Sequence, residues 1–149
     1  MNRAVLFDRD GVLNKLIKRD GGFYSPQSFD QFKTYDTAKN VINELKQIGL
    51  LSIVVSNQPD ISRGHLIQTE LDKMTNVLFN KLKIDDVFYC THDDSDLCTC
   101  RKPSPGLLIQ ASEKWNIDLE KSFMVGDTWK DVAAAKNASV KFLLINTLR

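Results

Sequence analysis

The chain has 149 residues, 42% of them hydrophobic and 26% charged, with a net charge of +1. That length suits one folded domain over 1–149 that closes its core without disulfides. The near-neutral balance gives no global pull toward nucleic acid or a membrane surface. No apolar run approaches the roughly 20 residues needed to span a bilayer. The four apolar residues before Asp8 are also too few for a signal-peptide core. The expectation is a cytoplasmic monomer with no membrane segment.

In chain order, Ala4 to Phe7 reads as a buried strand that stops in the turn Asp8-Arg9-Asp10-Gly11. Lys15 to Lys33 has no clean period and reads as a long loop of the kind that carries function. Asp36 is the expected N-cap of a helix bearing Ala38, Val41, Ile42, Leu45 and Ile48 and ending at Gly49. Leu50 to Val55 is a second strand, stopping at Ser56-Asn57. A helix follows over Leu66 to Leu82, with Leu71, Met74, Leu78 and Leu82 on one stripe. Val87 to Tyr89 is a third strand running into a cysteine cluster. Ser104 caps a helix from Pro105 to Trp115. Ser122 to Val125, a helix over Trp129 to Asn137, and Val140 to Ile145 complete the pattern. Strands alternating with helices imply an α/β fold, a parallel sheet with helices on both faces.

In open parallel sheets, ligands bind beyond the carboxyl ends of the strands. Asp8, Asp10, Ser56, Asn57 and Asp127 all fall there, and Arg101 and Lys102 can join them. One carboxylate can attack phosphorus and another can shuttle protons. A phosphoryl group brought beside carboxylates needs a hard cation. Magnesium, held by Asp8, the Asp10 carbonyl and Asp127, suits that need. Lys102 can neutralise phosphate oxygens, and Ser56 offers a hydroxyl. Each signal alone is weak, since Asp-x-Asp and Gly-Asp are usually solvated turns. The ordered placement of all of them at strand ends is what points to a site.

All three cysteines fall between positions 90 and 100. Cys90, His92, Cys98 and Cys100 form a Cys3His set, the pattern of a closed structural zinc site. Arg101-Lys102 follows at once, so zinc would hold the phosphate-binding pair in place. The competing interpretation is three reduced surface thiols and an unrelated histidine.

Phe7-Asp8-Arg9-Asp10-Gly11-Val12-Leu13-Asn14, Ser56-Asn57-Gln58, Arg63-Gly64, the Cys-x-His and Cys-x-Cys pairs before Arg101-Lys102-Pro103, and Val125-Gly126-Asp127 together resemble the haloacid-dehalogenase superfamily of phosphatases. The resemblance runs from residue 5 to about residue 131 and is strongest to the branch of D,D-heptose 1,7-bisphosphate and histidinol-phosphate phosphatases. It implies a Rossmann-like fold without a large cap domain. It also implies Asp8 as nucleophile, Asp10 as general acid/base, Asp8, Asp10 and Asp127 as magnesium ligands, and Ser56 and Lys102 as phosphoryl stabilisers. Arg101 would reach the substrate beyond the phosphate, and Asp20, Gly21, Gly22 and Phe23 would close over it, with Asn57 and Arg63 nearby. The chain departs from the family with Ser56 for a usual Thr and Thr128 for a frequent Lys. Asp131 falls where a second acid is common.

The resemblance implies a small phosphorylated substrate, with a heptose bisphosphate of surface-glycan (lipopolysaccharide) synthesis favoured. Histidinol phosphate is the alternative, because Asp93, Asp94 and Asp96 could meet its cations. A DNA 3′-phosphatase ranks low: it wants a basic aromatic groove, and the net charge is only +1.

Overall fold

The structure is a computed structural model and describes residues 1–145. In chain order its elements are β1 (Ala4–Phe7), β2 (Ile17–Arg19), β3 (Gly22–Tyr24), α1 (Ala38–Gln47), β4 (Leu51–Asn57), α2 (Gln68–Asn80), β5 (Asp86–Cys90), α3 (Gly106–Trp115), β6 (Phe123–Gly126), α4 (Trp129–Asn137) and β7 (Lys141–Leu144). Five strands form one parallel sheet in the order β5-β4-β1-β6-β7.

Side chains alternate across a strand, so β1 feeds two cores. Val5 and Phe7 join Ile42 of α1 and Leu71, Met74 and Leu78 of α2 on one face. Ala4 and Leu6 join Leu107, Leu108 and Ala111 of α3 and Ala134 and Ala135 of α4 on the other. Both faces of the sheet are therefore covered. This explains why β1 and the middle of β4 read as unbroken apolar runs.

The strand order fixes where a ligand can enter. From β1 the chain builds outward through β4 to β5, then returns to β1's other side with β6. The order reverses between β1 and β6, and a crevice opens at such a switch point. Asp8 and Asp127, each just past one of these strands, flank it.

Several boundaries differ from expectation. Lys15 to Lys33 is not a plain loop: it holds the antiparallel β2–β3 hairpin and a 3-10 turn over Phe29–Gln31. Asp20 and Gly21 both have positive φ, 49° and 77°, as a tight hairpin turn between right-twisted strands requires. The α1 cap position is Thr37 and not Asp36, and no side-chain bond caps it. Pro105, rather than Ser104, precedes the first turn of α3. β4 extends through Ser56 and Asn57, because both pair in register with Tyr89 and Cys90 of β5. α2 is shorter than its apolar stripe, and Leu66 and Leu82 are buried just outside its ends.

Candidate active site

A cavity of about 250 Å³ opens at the switch point. Of the residues expected there, Asp8, Asp10, Phe23, Asn57, Arg101, Lys102 and Asp127 line it, joined by Ser25, Thr128, Lys130 and Asp131. β1 delivers Asp8, whose backbone N–H still bonds Val125 O at 2.9 Å, so the nucleophile candidate sits on the last rung of the sheet.

Lys102 is the centre of the charge network. Its Nζ donates to Asp8 Oδ1 at 2.9 Å, to Asp131 Oδ1 at 2.7 Å and to the Val55 carbonyl at 2.9 Å. Its backbone is fixed as well: Lys102 N donates to Asn57 Oδ1 at 2.9 Å, and Asn57 Nδ2 donates to Lys102 O at 3.0 Å. Two carboxylates beside a buried ammonium hold the lysine charged, against the desolvation that burial imposes. Burial pushes the Asp8 carboxyl up to about 7; Lys102 opposes the rise and Asp131 adds to it.

Asp10 is held differently. Arg9 Nε and a terminal Arg9 nitrogen lie 2.8 Å from Asp10 Oδ1, and Asn14 Nδ2 donates to the same oxygen at 2.9 Å. Gln58 Nε2 donates to Oδ2 at 2.9 Å. Burial alone would raise this carboxyl, but the Arg9 charge with the two amides holds it below the usual range. Arg9 is itself fully buried, its guanidinium over the Phe32 and Tyr89 rings at 5.3 and 5.8 Å. Arg9, Asn14 and Gln58 carry no catalytic signature of their own, and sequence reasoning missed them. All three lie inside the motif segments that carry the family resemblance, which was the available hint, but no role was assigned to them.

Asp8, Asp127 and Asp131 bring carboxylate oxygens within 4.8 Å of one another. Hard oxygen donors at this spacing fit magnesium. Both oxygens of Asp131 are engaged, however. Oδ1 takes Lys102, while Oδ2 accepts from Thr128 N at 3.3 Å and Thr128 Oγ1 at 3.1 Å, closing the first turn of α4. Asp131 thus anchors Lys102, and Asp8 and Asp127 are the carboxylates better placed to take a cation. Gly11 is required beside them. Its φ is +83°, and a Cβ there would collide with Asp127 Oδ2.

Not every expected residue reaches the cavity wall. Ser56 is buried behind it, with its Oγ accepting from Gln58 Nε2 at 3.0 Å. Asp20 and Gly21 form the turn of the β2–β3 hairpin and Gly22 opens β3, and only Phe23 of that segment lines the cavity. Arg63 makes a two-point pair with Asp93, at 2.7 and 2.8 Å, away from the cavity wall.

The cysteine cluster assembles as expected. Cys90 Sγ lies 3.3 Å from His92 Nδ1, 3.6 Å from Cys98 Sγ and 3.0 Å from Cys100 Sγ. Cys100 Sγ is 3.3 Å from His92 Nδ1 and 3.6 Å from Cys98 Sγ. Tetrahedral zinc with thiolate and imidazole ligands has ligand–ligand edges of roughly 3.5–3.8 Å, so the four donors fit zinc with slight expansion. None of the three cysteines is in a disulfide. The loop bears directly on the site. Arg101 donates from a terminal nitrogen to the His92 carbonyl at 3.3 Å. A Cβ on Gly106 would strike the Thr99 carbonyl and Cys100, so α3 packs directly on the loop backbone.

Residues 22–139 match the family model of haloacid dehalogenase-like hydrolases. The D-glycero-beta-D-manno-heptose-1,7-bisphosphate 7-phosphatase of Pasteurella multocida is 35% identical over 152 residues, covering 95% of this chain and 79% of that protein. The protein of the same name from Helicobacter pylori strain J99 is 32% identical over 98% of this chain and 84% of its own length. Among solved structures, D,D-heptose 1,7-bisphosphate phosphatase from B. bronchiseptica, complexed with magnesium and phosphate, superposes with a TM-score of 0.87 at 27% identity. That match covers 97% of this chain and 81% of the other. The chain belongs to the haloacid dehalogenase-like hydrolase family.

Proposed function

We propose that this hydrolase is a magnesium-dependent phosphatase acting through an aspartyl-phosphate on Asp8, with D-glycero-D-manno-heptose 1,7-bisphosphate as substrate and the 7-phosphate as the group removed. The product would enter surface-glycan synthesis. The carrying observation is the meeting of Asp8, Asp127 and Lys102 at the switch-point cavity, with a second cation, Arg101, in the same wall. The name shared by the curated relatives supports the same substrate.

Asp8 attacks phosphorus, and the bond from phosphorus to the leaving sugar oxygen breaks. Asp10, having taken up the proton that an entering phosphate monoanion carries, gives it to that oxygen. Water then attacks the phosphorus of the aspartyl-phosphate, Asp10 takes a proton from it, and Asp8 is released with inorganic phosphate. Arg9, Asn14 and Gln58 hold the Asp10 carboxyl in one orientation throughout, so the proton moves along a fixed line. Lys102 orients Asp8 and places positive charge beside the phosphoryl oxygens. Magnesium held by Asp8, Asp127 and the Asp10 carbonyl supplies the further positive charge that lets anion meet anion. Zinc held by Cys90, His92, Cys98 and Cys100 orders the loop that carries Arg101 and Lys102.

Histidinol phosphate would need free acids near the entrance. Asp93 pairs with Arg63, Asp94 with Arg101, and Asp96 Oδ2 accepts from Asp93 N at 2.7 Å. These acids are thus already engaged and none of them lines the cavity, whereas Arg101 and Lys102 do, which favours a second phosphate. The test is phosphate release with magnesium from heptose 1,7-bisphosphate, histidinol phosphate and a 3′-phosphorylated oligonucleotide. The bisphosphate should be fastest. Faster turnover of histidinol phosphate or of the oligonucleotide would overturn the assignment.

A further inference from the structure

Arg101 has an unequal partner. Its side chain is 9% exposed, whereas that of Asp94, which accepts from Arg101 Nε at 2.7 Å, is 76% exposed. A buried guanidinium needs a counter-charge at all times, because an uncompensated buried ion is costly. A carboxylate three-quarters in water loses little when it is released, since exposed ion pairs contribute little. Such a pair is built for exchange: an anion entering the cavity can take over the guanidinium, and Asp94 simply returns to solvent. Lys130, which also lines the cavity, attracts the same carboxylate. The neighbouring pair contrasts with it. Asp93 grips Arg63 at two points, and Arg63, 39% exposed, lies outside the cavity wall. Adjacent aspartates in one loop thus do different work.

We infer that Asp94 is a specificity-determining residue, a placeholder that occupies Arg101 in the empty site and is displaced by a second anionic group on the substrate. This rests on the bisphosphate reading above and deepens it. Arg101 is charge-compensated by Asp94 until a dianion displaces it. A monophosphate ester held over Asp8 has nothing to offer Arg101, so it leaves the Asp94 pair intact. A bisphosphate must break the pair, and its net gain at Arg101 is reduced by whatever Asp94 contributes there.

The decisive variant is Asp94→Asn. The amide oxygen can still accept from Arg101 Nε and hold it in place, but the competing charge is gone. KM should be measured for a sugar bisphosphate and for the matching monophosphate, in wild type, Asp94→Asn, Arg101→Ala and the double variant. In Asp94→Asn, KM for the bisphosphate should fall by about three- to fivefold, the upper range of what an exposed ion pair holds back. KM for the monophosphate and both kcat values should stay unchanged. In the Arg101→Ala background the same replacement should do nothing. An unchanged or raised bisphosphate KM in Asp94→Asn would overturn the inference, as would an equal fall with Arg101 removed, which would mark a general charge effect. The wild-type preference between the two substrates judges the bisphosphate reading separately, because the inference is judged only on the ratio of variant to wild type.

Discussion

Lys102 and Asp131 form an ion pair of 2.7 Å in which the two side chains are only 3% and 2% exposed. Asp131 also closes the first turn of α4, so one carboxylate ties Lys102 to a helix end. Breaking one side of a buried pair leaves a charge stranded, at a cost of about 3 kcal/mol or more. Asp131→Asn should therefore lower unfolding stability by about that much in urea titration and slow turnover, because Lys102 is no longer steered to Asp8. A variant within about 0.5 kcal/mol of wild type would show that Asp8 and the Val55 carbonyl suffice to hold the lysine.

Asp10 and Asp8 stand two residues apart but are held by different neighbours, Arg9, Asn14 and Gln58 against Lys102. Asp10→Asn should cut kcat by about a hundredfold or more on a sugar phosphate, the usual scale for losing a general acid. The loss in forming the aspartyl-phosphate should be smaller with p-nitrophenyl phosphate, whose leaving group needs no proton; a burst of p-nitrophenol under pre-steady-state conditions reads that step. Equal loss on both substrates in that first step would remove Asp10 from leaving-group protonation.

Zinc should act on turnover only through order. Protein purified without chelator should contain about one zinc per chain. Cys98→Ser should weaken zinc retention and reduce activity although no group at Asp8 is altered, since the loop also carries Arg101 and Lys102. Full activity with magnesium in a zinc-free, well-folded protein would contradict this role.

Much of the site was legible because its residues follow strands, and strand ends can be read from short apolar runs such as Ala4 to Phe7. The cysteine spacing was equally readable, because ligands to one metal must be close and three of them are a residue type with little other use here. Asp20-Gly21 carried a standard hairpin signal, but strands of only three residues with polar faces gave no periodicity to flank it. Ser56 and Asn57 were assigned past the strand, whereas pairing with β5 carries β4 two residues further and turns Ser56 away from the cavity. Arg63 was placed near the site by the family resemblance, and only the fold brings Asp93 opposite it. The supports of Asp10 were invisible for a related reason. A buried Arg9 with two amides looks like ordinary polar sequence until the chain folds around the carboxyl.

The role of Asp8 as nucleophile is tested most directly by the turnover of Asp8→Asn on heptose 1,7-bisphosphate with saturating magnesium. Asparagine keeps the shape and can still accept a hydrogen bond from Lys102 Nζ, but it lacks the anionic oxygen that attacks phosphorus. kcat should fall by at least about a thousandfold, the scale of losing a covalent nucleophile, while circular dichroism and zinc content stay at wild-type values. Turnover within about tenfold of wild type by such a folded, zinc-loaded variant would contradict the aspartyl-phosphate mechanism.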